Sequence, residues 1–202
     1  MARAAGLDLT TIVAASLAIA DAEGVHRLTM RRLSAELGVT PMAVYHHLDG
    51  KEQLLDLVVD ESLRGLPVLD VAGDPHRELS AFFLAFHRLL VTHPSLAQAM
   101  AGRPLEGPVA MAAGDRVLEL LGRAGLDDRA AAEALIGLFS LTLGAGLYRI
   151  ARSPAGMSRS FPAMTAETTP VAHRLRRQLS EAPADEQQFL GALDRLVRGY
   201  VP

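Results

Sequence analysis

Apolar residues recur at helical spacing through most of this chain. Leu9, Ile12, Val13, Leu17 and Ala20 share one face of a first helix, and Gly24 follows as its stop signal. Thr29 is a good N-cap for a second helix with the stripe Met30, Leu33 and Leu37, and Gly38 sits where a left-handed C-terminal residue is wanted. Only Val39 and Thr40 separate it from the next start. Thr40 caps and Pro41 takes the first helical position, which predicts a short helix PMAVYHHL with Val44 and Leu48 turned inward. Asp49, with Glu52 three residues later, has the look of a capping box, and Leu54, Leu55, Val58 and Ser62 stripe a fourth helix ending near Gly65.

Residues 66–73 read as a connector. Asp74 and Pro75 open a helix with Leu79, Phe82, Phe83, Phe86, Leu89 and Leu90 on one broad face, and His93-Pro94 ends it. A short segment over 95–101 and the loop GRPLEGP lead to a helix through Val109, Ala113, Val117, Leu118 and Leu121 to Gly125. The most apolar helix spans residues 128–152. Residues 153–170 hold three prolines and no periodicity, so they are expected to form a mobile loop or lid. Two helices close the chain, over 171–181 and 185–200, the last with Phe189, Leu190, Leu193, Leu196, Val197 and Tyr200 on one face. No strand pattern or repeat interrupts this order, which predicts an all-α protein.

Composition agrees: half of the 202 residues are apolar and only nine are aromatic, a balance that favours helices. The absence of cysteine excludes disulfide frameworks, thiolate zinc sites and cysteine nucleophiles. The start MARAAGLDLTT lacks a signal-peptide core, and the uncharged run over 134–148 reads as too short to cross a bilayer, so a cytoplasmic protein without membrane contact is expected. Charge complicates the picture. The net charge is −3, and residues 1–65 carry six Arg/Lys against nine Asp/Glu. Nucleic-acid binding then requires the acids to lie apart from the binding face, and five of them (Asp49, Glu52, Asp56, Asp60 and Glu61) fall at or beyond residue 49.

Two short helices joined by a glycine-containing turn, the second freshly capped, form a helix-turn-helix pattern. Packing Leu33, Leu37, Val44 and Leu48 against the first helix leaves Pro41, Met42, Tyr45 and His46 facing out. Solubility does not require an outward Tyr beside an outward Met, so contact with a partner is the better account, although an ordinary bundle surface remains the alternative. Tyr45 and His46 suit phosphates, Met42 and Ala43 suit thymine methyl groups, and Arg31 suits a guanine edge or the backbone. Lys51, the chain's one lysine, lies in a first helical turn, where the macrodipole disfavours a cation unless an anion binds. A phosphate clamp is expected there, with a solvated lysine as the plain alternative.

The run LTMRRLSAELGVTPMAVYHHLDGKEQLLD, residues 28–56, resembles the TetR-type family of one-component regulators. The likeness lies in the Leu-Thr before the second helix, the Arg two positions on, the Leu-Gly-Val turn, the Val-Tyr-x-His that follows, and the later Lys before paired leucines. It covers residues 7–65 well and the rest in outline. The resemblance implies DNA-binding helices over residues 1–50, a connecting helix over 50–65, and a bundle over 66–202 that binds a small molecule and dimerises. It assigns Thr29, Tyr45, His47 and Lys51 to phosphates, and Arg31, Thr40, Pro41, Met42 and Ala43 to bases. His46 stands where the family usually has an aromatic residue.

The apolar faces of 128–152 and 185–200 are expected to pair in a homodimer, with Gly137, Gly144 and Gly146 permitting close approach. Phe82, Phe86, His87, Met100, Met111, Phe139 and Tyr148 are candidates to line a cavity for a largely apolar effector, although such residues at helical spacing more often fill a core. The expected function is a repressor relieved by ligand, bound as a dimer to a pseudo-palindromic operator. A ligand-carrying bundle without DNA affinity stays open as a second reading. An all-α enzyme fits worst. The seven histidines include no i,i+4 pair, no metal motif, phosphate loop or nucleophile elbow appears, and no cofactor is expected.

Overall fold

A computed structural model describes residues 7–151, 165–175 and 186–201. Ten α-helices occur among them: α1 Leu9–Glu23, α2 Met30–Leu37, α3 Pro41–Tyr45, α4 Lys51–Ser62, α5 Pro75–Thr92, α6 Pro94–Met100, α7 Pro108–Arg123, α8 Asp128–Ala151, α9 Pro170–Arg174 and α10 Glu186–Tyr200. The described residues contain no strand, in keeping with the all-α expectation. Residues 153–164 of the expected loop, and the later part of the helix expected over 171–181, lie outside the described residues.

Local chemistry starts these helices. Asp8 accepts the Thr11 amide at 2.7 Å, Thr29 accepts Arg32 at 3.1 Å, Thr40 accepts Ala43 at 3.3 Å and Asp74 accepts Arg77 at 2.7 Å. Gly38 ends α2 in the left-handed conformation, φ 65°, which a residue with a Cβ adopts only at a cost. Several details differ from the sequence reading. Val25–Arg27 forms a 3₁₀ turn between α1 and α2. Leu9 is exposed, being the first residue of α1 and beyond the reach of the core. α3 stops at Tyr45, with His46 as its C-cap. The capping box over Asp49 and Glu52 is shifted by one: Gly50 is the cap of α4, and Gln53 accepts the Asp49 amide, which frees Glu52 for another partner.

The core forms two clusters. Ile12, Leu28, Leu33, Val44 and Leu54 fill the N-terminal one, while Leu79, Phe83, Leu90, Leu96, Leu120, Leu138 and Leu193 fill the larger one. α4 joins them. Its Leu54, Leu55 and Val58 belong to the first cluster and its Val59 to the second, so a displacement of α4 is felt by both.

α8 packs against α5, α6, α7 and α10. Two of its glycines serve these contacts within the chain: a Cβ on Gly137 would meet the Tyr200 hydroxyl, and one on Gly146 would lie 3.1 Å from Leu90 Cβ. Gly144 has nothing within 4 Å. Close approach between protomers, as expected from all three glycines, therefore has only Gly144 left for it. By length and composition alone Asp128–Tyr148 is long and apolar enough to cross a bilayer, which corrects the expectation from the uncharged run. The turns carrying Asp128, Arg129 and Glu133 extend that run without ending its apolar character, and the buried residues Ala131, Ala134, Leu138 and Thr142 pack on the rest of the bundle.

Candidate nucleic-acid interface and effector cavity

α2 and α3 present one polar, exposed surface. Thr29, Arg31, Thr40, Pro41, Met42, Tyr45, His46 and His47 are all exposed, and Ala43 is half-buried. Met42 is 67% exposed and Tyr45 49%, while Val44 is fully buried and anchors α3 from beneath. The short α3 can hold this posture because Thr40 and Pro41 fix its start and Val44 and Leu48 fix its underside. Among the described residues Arg31, Tyr45, His46 and His47 make no side-chain hydrogen bond or ion pair, so their donors remain available. Lys51 differs. Its Nζ lies 3.3 Å from the Val25 carbonyl and 3.5 Å from that of His26, so the ammonium caps the 3₁₀ turn as well as standing at the start of α4.

The excess of acid in this region has a structural explanation. Glu23 and Glu36 both grip Arg32, at 2.8 Å each, and the hydrogen bonds from Glu23 and then Glu36 hold its guanidinium above its ordinary value. Asp21 reaches α6, accepting from the Ser95 amide at 3.3 Å and standing 2.7 Å from His93 Nδ1. Glu61 pairs with Arg64. Asp60 is buried and accepts the Val109 and Ala110 amides at 3.2 and 2.8 Å, closing the first turn of α7. Glu52 and Asp56 converge on Arg103. Nearly every acid here is thus committed to a partner within the chain, and Arg31 on the α2–α3 surface keeps its charge unpaired among the described residues.

Behind α4 lies a cavity of about 390 Å³ between α5, α7 and α8. Its wall includes Phe82, Phe83, Phe86, Met111, Leu135 and Phe139, and the Phe86 and Phe139 rings stack at 5.9 Å. Four of the seven candidates from the sequence, Phe82, Phe86, Met111 and Phe139, come together here. The other three do not. Met100 is buried in the bundle core, where α6 packs on α8. His87 stacks on Phe189 of α10 at 3.9 Å. Tyr148 is 49% exposed on the outer side of α8. Helical spacing places a residue on its own helix but does not say which neighbour that face meets. The sequence reading also missed Arg103 and Asp60. The one charge pair in GRPLEGP hinted at Arg103, whereas nothing in the sequence singled out Asp60.

Comparison with known proteins covers both regions. Residues 12–58 match the family described as "Bacterial regulatory proteins, tetR family", and residues 72–199 match "Tetracyclin repressor-like, C-terminal domain". The HTH-type transcriptional repressor DrrR1 of Streptomyces coeruleorubidus is 35% identical over 151 residues, 74% of this chain and 56% of that protein. The chain spans about half the length of the first curated relatives, 56% and 49%. Tetracycline repressor protein class D of Escherichia coli is 27% identical over 202 residues, 97% of this chain and 90% of that protein. Among solved structures, the Streptomyces coelicolor TetR family protein ActR in complex with actinorhodin has a TM-score of 0.81 at 26% identity, covering 97% of this chain and 96% of that one. With matches over the reading helices and over the bundle that holds the cavity, the chain belongs to the TetR family of helix-turn-helix transcriptional regulators, a family of DNA-binding switches and not of enzymes.

Proposed function

We propose that this protein is a cytoplasmic repressor that binds a pseudo-palindromic operator as a homodimer and is released by a small, largely apolar effector. In this reading residues 1–50 are the reading head, 50–65 the connector and 66–202 the effector and dimerisation unit. The observation that carries it is the α2–α3 surface: an exposed Arg31, Tyr45, His46 and His47 around Met42, with the neighbouring acids bound elsewhere. Thr29, Tyr45, His46, His47 and Lys51 would meet phosphates, while Arg31, Thr40, Pro41, Met42 and Ala43 would lie toward the groove. Thr29 and Thr40 accept backbone amides as caps, and their hydroxyls can still donate to a phosphate. Lys51, tethered to two carbonyls, would contribute a positioned charge and not a freely reaching one.

Dimerisation is supported by α8. Ala132, Ile136, Ser140, Gly144 and Tyr148 recur every four residues and are all exposed, an uncharged ridge over a little more than four turns with α10 beside it. A two-fold pair would present two α3 helices about 34 Å apart, one turn of DNA. The effector reading is supported by the aromatic cavity and by the relatives solved with ligands, ActR with actinorhodin and an Acinetobacter baumannii TetR variant with minocycline. An effector that favours a non-binding spacing of the heads by about 1.4 kcal/mol lowers operator affinity tenfold.

The test is a salt titration of binding to DNA from upstream of the protein's own gene, with wild type, Arg31→Ala and Tyr45→Ala. The expected result is specific binding with affinity at least tenfold weaker in each variant, unchanged thermal melting, and relaxed sequence preference for Arg31→Ala, whose side chain lies toward the groove. A folded dimer with no specific upstream fragment would favour the ligand-carrier reading instead.

A further inference from the structure

The aromatic cavity is lined by two charged side chains, Arg103 and Asp115. Asp115 is exposed on α7, whereas the Arg103 side chain is only 15% exposed. Arg103 also forms part of a second, polar cleft of about 470 Å³ with Glu52, Asp56, Asp60 and Glu106. It is the charged side chain shared by the two spaces. On the polar side its Nη2 donates to Glu52 Oε2 at 2.7 Å, and its Nη1 donates to Asp56 and, at 3.4 Å, to the Glu52 carbonyl. Burial works against its charge, and the bonds to Glu52 and Asp56 more than offset that, holding the guanidinium above its ordinary value.

A guanidinium has five N–H donors, and these three bonds leave the Nε–H and one Nη2–H without a partner among the described residues. The two carboxylates are loosely held, since their side chains are 79% and 61% exposed and water can take them back at little cost. A carboxylate entering from the apolar side, whose lining includes Arg103, would take the two remaining donors in a drier setting, where a charge-assisted pair is stronger, and by neutralising the guanidinium would compete with its hold on Glu52 and Asp56.

We propose that the effector is a flat aromatic acid whose carboxylate competes with Glu52 and Asp56 for Arg103, so that filling the cavity unfastens the first half of α4. This inference rests on the reading that the cavity takes the effector. The ligand's ring system lies against Phe82, Phe86 and Phe139, and its acid end points toward the 101–107 loop. Because Glu52 and Asp56 sit on the helix that joins the two cores, the exchange reaches the reading head without any ligand contact to it.

The experiment is isothermal titration of the full chain with biphenyl-4-carboxylate and with the uncharged biphenyl-4-carboxamide. Wild type is expected to bind the acid at least tenfold tighter than the amide. Arg103→Met removes that preference and keeps the amide affinity. The double variant Glu52→Gln, Asp56→Asn binds the acid several-fold tighter than wild type, because the competitors are gone, and leaves the amide unchanged. A merely structural role for the Arg103 cluster would weaken both probes together. Equal affinity of wild type for acid and amide, or no gain in the double variant, overturns this inference and leaves the effector reading standing. Failure of both probes to bind folded wild type overturns the two together.

Discussion

The α2–α3 surface and the outer stripe of α8 both expose apolar side chains, yet their surroundings differ. Around Met42 and Tyr45 stand Arg31, His46 and His47, and the nearby acids are drawn away by Arg32, Arg64, Arg103 and the first turn of α7. Around Ile136 and Tyr148 the stripe residues carry no charge through Ala132, Ser140 and Gly144. Apolar contact beside an unspent arginine and free ring N–H donors suits a polyanion with methyl groups in its groove. The same exposure amid small uncharged residues suits another helix, where no charge would have to be desolvated. Exposed hydrophobicity alone does not identify a partner. The charge beside it does.

The comparison breaks most visibly if charge is placed on the uncharged stripe. Ile136→Glu with Ser140→Glu is expected to raise the dimer dissociation constant at least 100-fold, roughly 2.7 kcal/mol, in sedimentation equilibrium, with unchanged helicity since both positions are exposed. Unaltered self-association would remove α8 from the interface. A smaller effect sharpens the contrast between acids turned inward and acids left outside. Asp60→Ala strips two α7 amides of their acceptor and should cost about 2 kcal/mol in urea unfolding, whereas Glu133→Ala, on an exposed turn of α8, should stay within about 0.5 kcal/mol. Equal losses would mean that the α4–α7 cap carries no special weight.

The smallest effect is in acid. Arg88 holds the Glu186 carboxyl below its ordinary value, and Arg198, then His76, hold Asp194 down. A depressed carboxylate stabilises the folded chain above its unfolded value, here 4.5 and 3.8, and that share is lost as pH falls through the lower folded value. The melting temperature should therefore be level from about pH 7 to about pH 5 and fall below about pH 4.5. Arg88→Met should make that fall shallower, with exposure and salt keeping the change small. A melting temperature that rises on acidification would contradict the sign.

The reading head was legible because its signals are local. Thr29, Thr40 and Pro41 start helices within three residues of themselves, Gly38 ends one, and Val44 declares its inward face by spacing. Its charge logic was not, since Arg32 finds Glu23 nine residues back and Glu52 and Asp56 find Arg103 some fifty residues on. The cavity was half legible. Phe82, Phe86, Met111 and Phe139 meet, but Met100, His87 and Tyr148 have the same residue character and helical setting and go to the core, to Phe189 and to the surface. Gly137 and Gly146 likewise looked like contacts between chains and proved to be seats for Tyr200 and Leu90.

By itself, then, the sequence determined where helices begin and end, which class of fold they make, and which short surface reads as a DNA-binding motif, because those depend on neighbours within about one turn. Only the tertiary structure decided which faces meet, which acids are spent inside, and that one arginine stands between an apolar cavity and the connecting helix. Those depend on side chains brought together from distant parts of the chain, and periodicity does not encode the partner.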